Sequence, residues 1–301
     1  MSLATPEIGT FGLIAFDTAL PFDTSSIPIE IILPESLHEE AEIIETNGMR
    51  GTVEHNKERT REGLKRSAGS IKIACSRVVL DTLLPYICGT AESSNVFALA
   101  DSIPEFVLMI DRGAKVYTYS GCRIAKATFN GSKGDFLYLD LDIEAETETT
   151  GDAGSFPVLT MPLEKPYLMA DGVLTLVSDT RAFEKFSLII ENKLNTEQFE
   201  NNLTRYDIPM IDRIITLETD HPWSTDNTDL LKQALDGAAG TAVFTNGAAS
   251  GDVLTFAMAA IQYANVTPTH SAKDVTRLPL TGMVRSSGTT RPLIITNAHS
   301  A

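Results

Sequence analysis

Basic residues are scarce in this sequence: 24 Lys and Arg stand against 40 Asp and Glu, a formal charge of −16. Spread over a surface, that excess repels phosphates and excludes ordinary nucleic-acid binding. The first 49 residues hold nine carboxylates and neither Lys nor Arg. No run of about 18 apolar residues is present, which excludes a helical membrane span. The opening MSLATPEIGTFGLIAF lacks the cationic start and long apolar core of a secretory signal, so folding is expected in a reducing cytoplasm. Cys75, Cys88 and Cys122 sit singly in apolar contexts with no CxxC pair. Buried, inert thiols are therefore expected in place of a disulfide framework or a metal site.

Catalytic signatures are missing as well. The five histidines, His38, His55, His221, His270 and His299, show no paired spacing. There is no HExxH, no GxSxG, no P-loop, and no GxGxxG in a strand-turn-helix setting. Asp140, Asp142 and Glu144 form a DxDxE run, but the glycine and terminal Glu of a Ca²⁺ loop are absent and the alternation around it reads as strand. No enzymatic activity, cofactor or metal is expected. The lone tryptophan, Trp223, lies beside Pro222 and reads as a packing residue, whereas sugar sites generally use several aromatic platforms.

What the sequence does contain is strand. The segments 27–33, 70–75, 106–111, 115–120, 135–148, 173–178, 186–191, 213–218 and 252–263 are rich in β-branched and aromatic residues and bounded by Gly, Asn, Asp or Pro, an antiparallel pattern. Asp111-Arg112-Gly113, Asn130 to Gly134 and Asn246-Gly247 supply turn chemistry between them. Two short helices are expected, Val78 to Ile87 ending at Gly89, and Thr225 to Leu235 ending at Gly237.

Those two helices mark a repeat. Leu83-Leu84 with Gly89 corresponds to Leu230-Leu231 with Gly237; SIKIAC precedes the first helix as RIITLE precedes the second. Further upstream, EIIETN at 42–47 matches LIIENK at 188–193. The reading is a tandem duplication, with a first β domain over 1–160, a second over 161–301, and a Thr-, Gly- and Pro-rich connector at about 149–172. Long polar loops are expected at 48–69 and 193–212, flexible in the free subunit and ordered on assembly. The first holds KERTREGLKR at 57–66, with five cations and two acids. Opposite charge patches on one subunit suit self-association.

The first half resembles the tail tube (major tail) proteins of siphophages. The likeness is carried by the basic loop leading into Ser67-Ala68-Gly69-Ser70-Ile71, by the strand and helix ending in Leu83-Leu84-Pro85 and Gly89, by Phe106 to Gly113, and by the Tyr119-Ser120-Gly121-Cys122 turn. The second half resembles the same family at Phe183 to Leu194 and at Ile295-Thr296-Asn297. The resemblance implies a mainly β protein, an antiparallel sandwich with a short flanking helix, whose strands join a shared inner barrel in a ring of the virion tail. Rings would stack around the tape-measure protein, with distal tail and terminator proteins at the ends, no membrane, and DNA passing during ejection. Assembly would take place in the host cytoplasm. With two domains per chain, three copies would make a pseudo-sixfold ring; six chains with one half decorating the outside is the other arrangement the resemblance allows.

Two site expectations follow. Asp140, Asp142, Glu144 and Glu146 alternate with Leu141, Ile143 and Ala145, so a strand would put the acids on one face, lining the lumen. Lys57, Arg59, Arg61, Lys65 and Arg66 would form a ring-contact loop. The alternative from another class is a non-enzymatic β-sandwich binding or adhesion module recognising carbohydrate or a host surface.

Overall fold

Period-two alternation is the dominant local signal and the chain follows it into strands. In the computed structural model of the protein, residues 13–46, 54–55, 57–152, 154–227, 230, 237–247, 251–263, 268 and 276–298 are described. The first half contains β1 (Leu13–Asp17), β2 (Ile27–Ile29), β3 (His38–Glu45), β4 (Thr60–Ala74), α1 (Arg77–Cys88), β5 (Val96–Ala98), β6 (Phe106–Asp111), β7 (Lys115–Ser132), β8 (Tyr138–Ala145) and β9 (Thr147–Asp152). The second contains β10 (Val173–Leu176), β11 (Asp179–Arg181), β12 (Lys185–Leu194), β13 (Met210–Pro222), β14 (Ala238–Thr245), β15 (Val253–Tyr263), β16 (Arg277–Arg285) and β17 (Leu293–Ala298). As the sequence implies, the protein is mainly β and antiparallel; among the described residues it has one α-helix.

Strand pairing follows one plan in both halves. In the first, β1 pairs with β2 and β6, β4 with β3 and β8, and β7 with β6, β8 and β9. In the second, β10 pairs with β11 and β14, β13 with β12 and β16, and β15 with β14, β16 and β17. Element for element these are the same seven pairings. Two more join the halves: β7 to β12, and β5 to β17. One layer therefore runs β3-β4-β8-β7-β12-β13-β16-β15 without a break between halves.

The long strand β7 belongs to two layers. Its residues 115–120 pair with β9 and its residues 123–130 with β8. The change comes at Gly121, whose φ of +62° is a conformation L side chains rarely adopt. Packed between the layers is one continuous apolar core that draws on both halves, including Phe129, Phe186, Phe244 and Phe256 in mutual ring contact. Burial on this scale is the main stabilising term of the fold.

Helix α1 buries Val79, Leu80, Leu83, Leu84, Ile87 and Cys88 against that core. It ends where the sequence places the stop, at Gly89, left-handed at φ 93°, whose N–H returns to the Pro85 carbonyl. At the other end a carboxylate from the connector, Glu164, accepts the Val78 N–H at 2.9 Å. Of the second expected helix, Thr225–Asn227 forms a 3-10 turn; most of the remainder lies outside the described residues.

Two expectations are corrected. The basic stretch is not a loop: Lys57–Arg59 is a 3-10 turn, and Arg61, Lys65 and Arg66 lie within β4 paired to β3. Pairing with the acidic partner strand, HEEAEIIE, places opposite charges side by side. The second polar stretch is a packed arm at 195–209, with Phe199, Arg205 and Ile208 buried. All three cysteines are buried and free, and burial pushes the Cys88 thiol up to about 12.

Candidate functional site

The surface that sets this fold apart is the polar face of the continuous eight-strand layer. Leu139, Leu141, Ile143 and Ala145 are buried in the core, so Asp140, Asp142 and Glu144 emerge on the opposite face of β8. The registers place them in rows across the sheet. Lys72, Asp140, Thr128 and Ile189 make one row; Ser70, Asp142, Lys126 and Glu191 make the next; Ala68, Glu144 and Arg123 make the third.

Each of these three carboxylates therefore has a cation in its own row. Asp140 also accepts a hydrogen bond from the Asn130 amide. Glu144 receives Arg205 Nη1 at 2.7 Å. The face is thus a field of alternating charge, a pattern set by neighbouring strands.

Glu146 stands apart from the other three. Strand β8 ends at Ala145, and the chain bends at Glu146, whose N–H donates to the Ser120 carbonyl at 3.0 Å. Its carboxyl lies against Gly121, where a methyl group would overlap it. Burial, reinforced by the charges of Glu105 and Asp207 and opposed by Arg123, raises its pKa to about 7. Arg123 itself binds Asp207 of the arm at 2.8 Å and lies 3.8 Å from Glu105.

The arm at 195–209 is the part that sequence reasoning did not place. It leaves the second half and lies on the first. Leu203 O accepts the Lys65 N–H at 2.8 Å, Arg66 binds Glu197 at 2.8 Å, and Arg66 also sits 5.8 Å over the Phe199 ring. Of the expected contact residues, Lys65 bridges Glu39 and Glu62. Lys57 is exposed and Arg59 half-buried. Arg61 is exposed on the ribbon that β3 and β4 form beyond the end of β8. The cations are consequently divided between contacts inside the chain and a free surface.

A second set of contacts fastens the halves at α1. Buried Asn192 donates to the carbonyls of Ile87 and Ile124 and accepts Arg213 Nε at 2.6 Å, while Arg213 Nη1 reaches Ala100 O at 2.7 Å. At the other end of the helix, Asn297 donates to Arg77 O and Asp81 and accepts the Tyr167 hydroxyl at 2.9 Å. Trp223 packs half-buried against the core, so it provides no open stacking platform.

A family profile described as phage tail tube protein matches residues 9–284. No curated protein matches the chain.

Proposed function

The chain belongs to the phage tail tube protein family, and from that premise we propose that three copies close a ring whose lumen conducts DNA during ejection. Tail tube proteins are structural components of the virion tail, which accords with a non-enzymatic role. In this reading each half is a tube-type domain, the first within 1–160 and the second within 161–301, so three chains present six similar domains. The observation that supports it is the matched set of pairings in the two halves, together with the β7–β12 seam that joins them edge to edge. Within one chain the first half already docks a second domain as a ring neighbour would. Across chains the analogous free edge is β3, which among the described residues pairs with β4 alone. An open edge of this kind accepts another strand, and closure into a ring removes it.

The polar face of the eight-strand layer then lines the bore, with Asp140, Asp142 and Glu144 towards the lumen. Water in the bore hydrates the charges while the apolar side stays in the core. Because Lys72, Lys126 and Arg123 each share a row with a carboxylate, the wall presents little unopposed positive charge. Phosphates would pass without the counter-ion release that makes basic surfaces hold DNA. The tape-measure protein would occupy the lumen before ejection, and terminator and distal tail proteins would meet the end rings. Lys57, Arg59 and Arg61 would contribute to contacts between copies.

Electron microscopy of the full chain, with native mass spectrometry of the smallest closed species, tests the proposal. Rings or tubes built from three copies per ring are expected. A monomer at all concentrations, or a closed ring of six chains, would overturn the trimeric reading.

A further inference from the structure

Three arginines of this acidic chain, Arg213, Arg285 and Arg291, line one pocket of about 410 Å³. Its walls come from both layers. Arg213 lies near the start of β13 and Arg285 at the end of β16, while Arg291 just precedes β17, the partner of β5. Leu99, Ile215 and Val284 are buried and give the pocket an apolar floor, and charges beside such a floor act more strongly than they would in water.

The positive charge there is not matched. Among the described residues lining the pocket, the one carboxylate is Asp101, 3.0 Å from Arg291. That carboxylate is 93% exposed, and an ion pair standing so far into water is weak and readily exchanged. Arg213 takes only neutral acceptors: the Asn192 amide oxygen, the Ala100 and Cys88 carbonyls and the Met210 sulfur, the last two at 3.4 Å. A guanidinium group has five N–H donors for these four acceptors, so one stays uncommitted among the described residues. Burial lowers the Arg213 pKa, with Arg291 adding to the effect and Asp101 opposing it, as expected of a cation short of negative charge. Arg285 donates to the Met283 sulfur, a weak acceptor.

We propose that this pocket binds a small oxyanion of the phosphate class, held between Arg213, Arg285 and Arg291. Guanidinium groups present paired N–H donors that match phosphate oxygens. Three cations against one carboxylate leave a local charge of +2, which balances a dianion. The volume holds a phosphate with room for a second phosphoryl group or the body of a small phosphorylated molecule. An extended polyanion is a poorer match, because the −16 of the whole chain repels it at long range, whereas a small ion inside the pocket meets chiefly the local charges. Bound there, the anion ties the β13 and β16 side of the pocket to the β5 and β17 side.

Titration of the full chain with pyrophosphate at constant ionic strength, followed by calorimetry and phosphorus NMR, tests the site. Saturable binding at one site per chain is expected, with a rise in melting temperature that chloride at matched ionic strength does not give. Arg285→Ala and Arg291→Ala, each first shown to melt cooperatively, should each weaken binding by about tenfold. Asp101→Asn should tighten it, since Arg291 is released and the one negative group is gone. Lys57→Ala removes a charge outside the pocket and should leave binding unchanged. Binding that does not saturate, or that falls equally in Lys57→Ala and the arginine variants, would overturn the site. Tighter binding per phosphate to a short DNA duplex than to pyrophosphate would overturn the choice of a small ion.

Discussion

Arg205 and Glu144 meet at 2.7 Å across the two halves of the chain, one from the packed arm and the other from β8. The same guanidinium group donates to Ser67 O at 3.3 Å and Ala145 O at 3.2 Å. Its side chain is 3% exposed, so these acceptors have little water to fall back on. Arg205→Met is expected to destabilise the protein by roughly 3 kcal/mol, because it leaves a shielded carboxylate and two carbonyls without their donor. Arg205→Lys should recover only part, since an ammonium cannot reproduce the planar fork. Urea midpoints measure both, and faster proteolysis within 195–209 should accompany the loss.

Glu146 gives the stability a pH dependence with a defined sign. Its pKa rises from 4.5 in the unfolded chain to about 7 in the fold, so the folded state binds the extra proton. The contribution is complete below pH 4.5 and is lost as pH climbs through 7. Glu146→Gln should therefore raise the melting temperature by a few degrees at pH 8 and change it little at pH 4. A gain of equal size at both pH values would contradict the assignment.

Gly69 lies where Ser36 and Leu37 cross β4, and a methyl group there would sit 2.4 Å from Leu37 Cα. The obstacle is backbone held in place by Tyr119, whose hydroxyl donates to Leu37 O at 2.8 Å, so it cannot swing aside. Gly69→Ala is expected to cost about 2 kcal/mol or more, read as a lower denaturant midpoint with an unchanged m-value.

Asp140→Lys with Asp142→Lys makes two rows on the proposed lumen face net positive while sparing the Arg205 contact. Tubes should still form. Ejection from particles carrying the variant should slow, with the delay easing as salt rises, because the new cations would hold phosphates. Wild-type ejection kinetics at low salt would remove the lumen assignment.

Replacing Arg59, Arg61, Lys65 and Arg66 with Ser tests the cationic ribbon. Lys65 and Arg66 have partners within the chain; the Arg66–Glu197 pair is exposed and the Lys65 pairs are partly covered, so each should cost on the order of 1 kcal/mol. Polymerisation should weaken and lose its salt sensitivity while the fold persists. Tubes growing at the normal rate, with normal salt response, would contradict a contact role.

Much of the fold was legible in the sequence. Phe106–Asp111 is the strand that its apolar run implies, and the turns at Asp111-Arg112-Gly113 and Asn246-Gly247 fall between paired strands. Strand β16 escaped notice because Pro279 and Gly282 read as breakers. Yet RLPLTGMVR alternates buried and exposed residues along its whole length, with Gly282 lying where Ile261 and Tyr263 leave no room for a Cβ. The 27–33 segment shrank to Ile27–Ile29, and Pro28 and Pro34 at its margins limit further ladder bonding.

By itself the sequence determined the local choices: strands from period-two alternation, reversals from residues tolerant of positive φ, and the end of α1 at Gly89. It also carried matching stretches, 42–45 with 188–191 and 70–74 with 213–217, which lie along β3 and β12 and along β4 and β13. Tertiary structure alone decided that β7 lies against β12, that Arg205 of one half satisfies Glu144 of the other, and that Glu146 leaves the carboxylate row for a buried corner. These depend on which strands become neighbours and in what register. Such long-range pairings are selected by the packing of the whole core and leave no mark in the spacing of nearby residues.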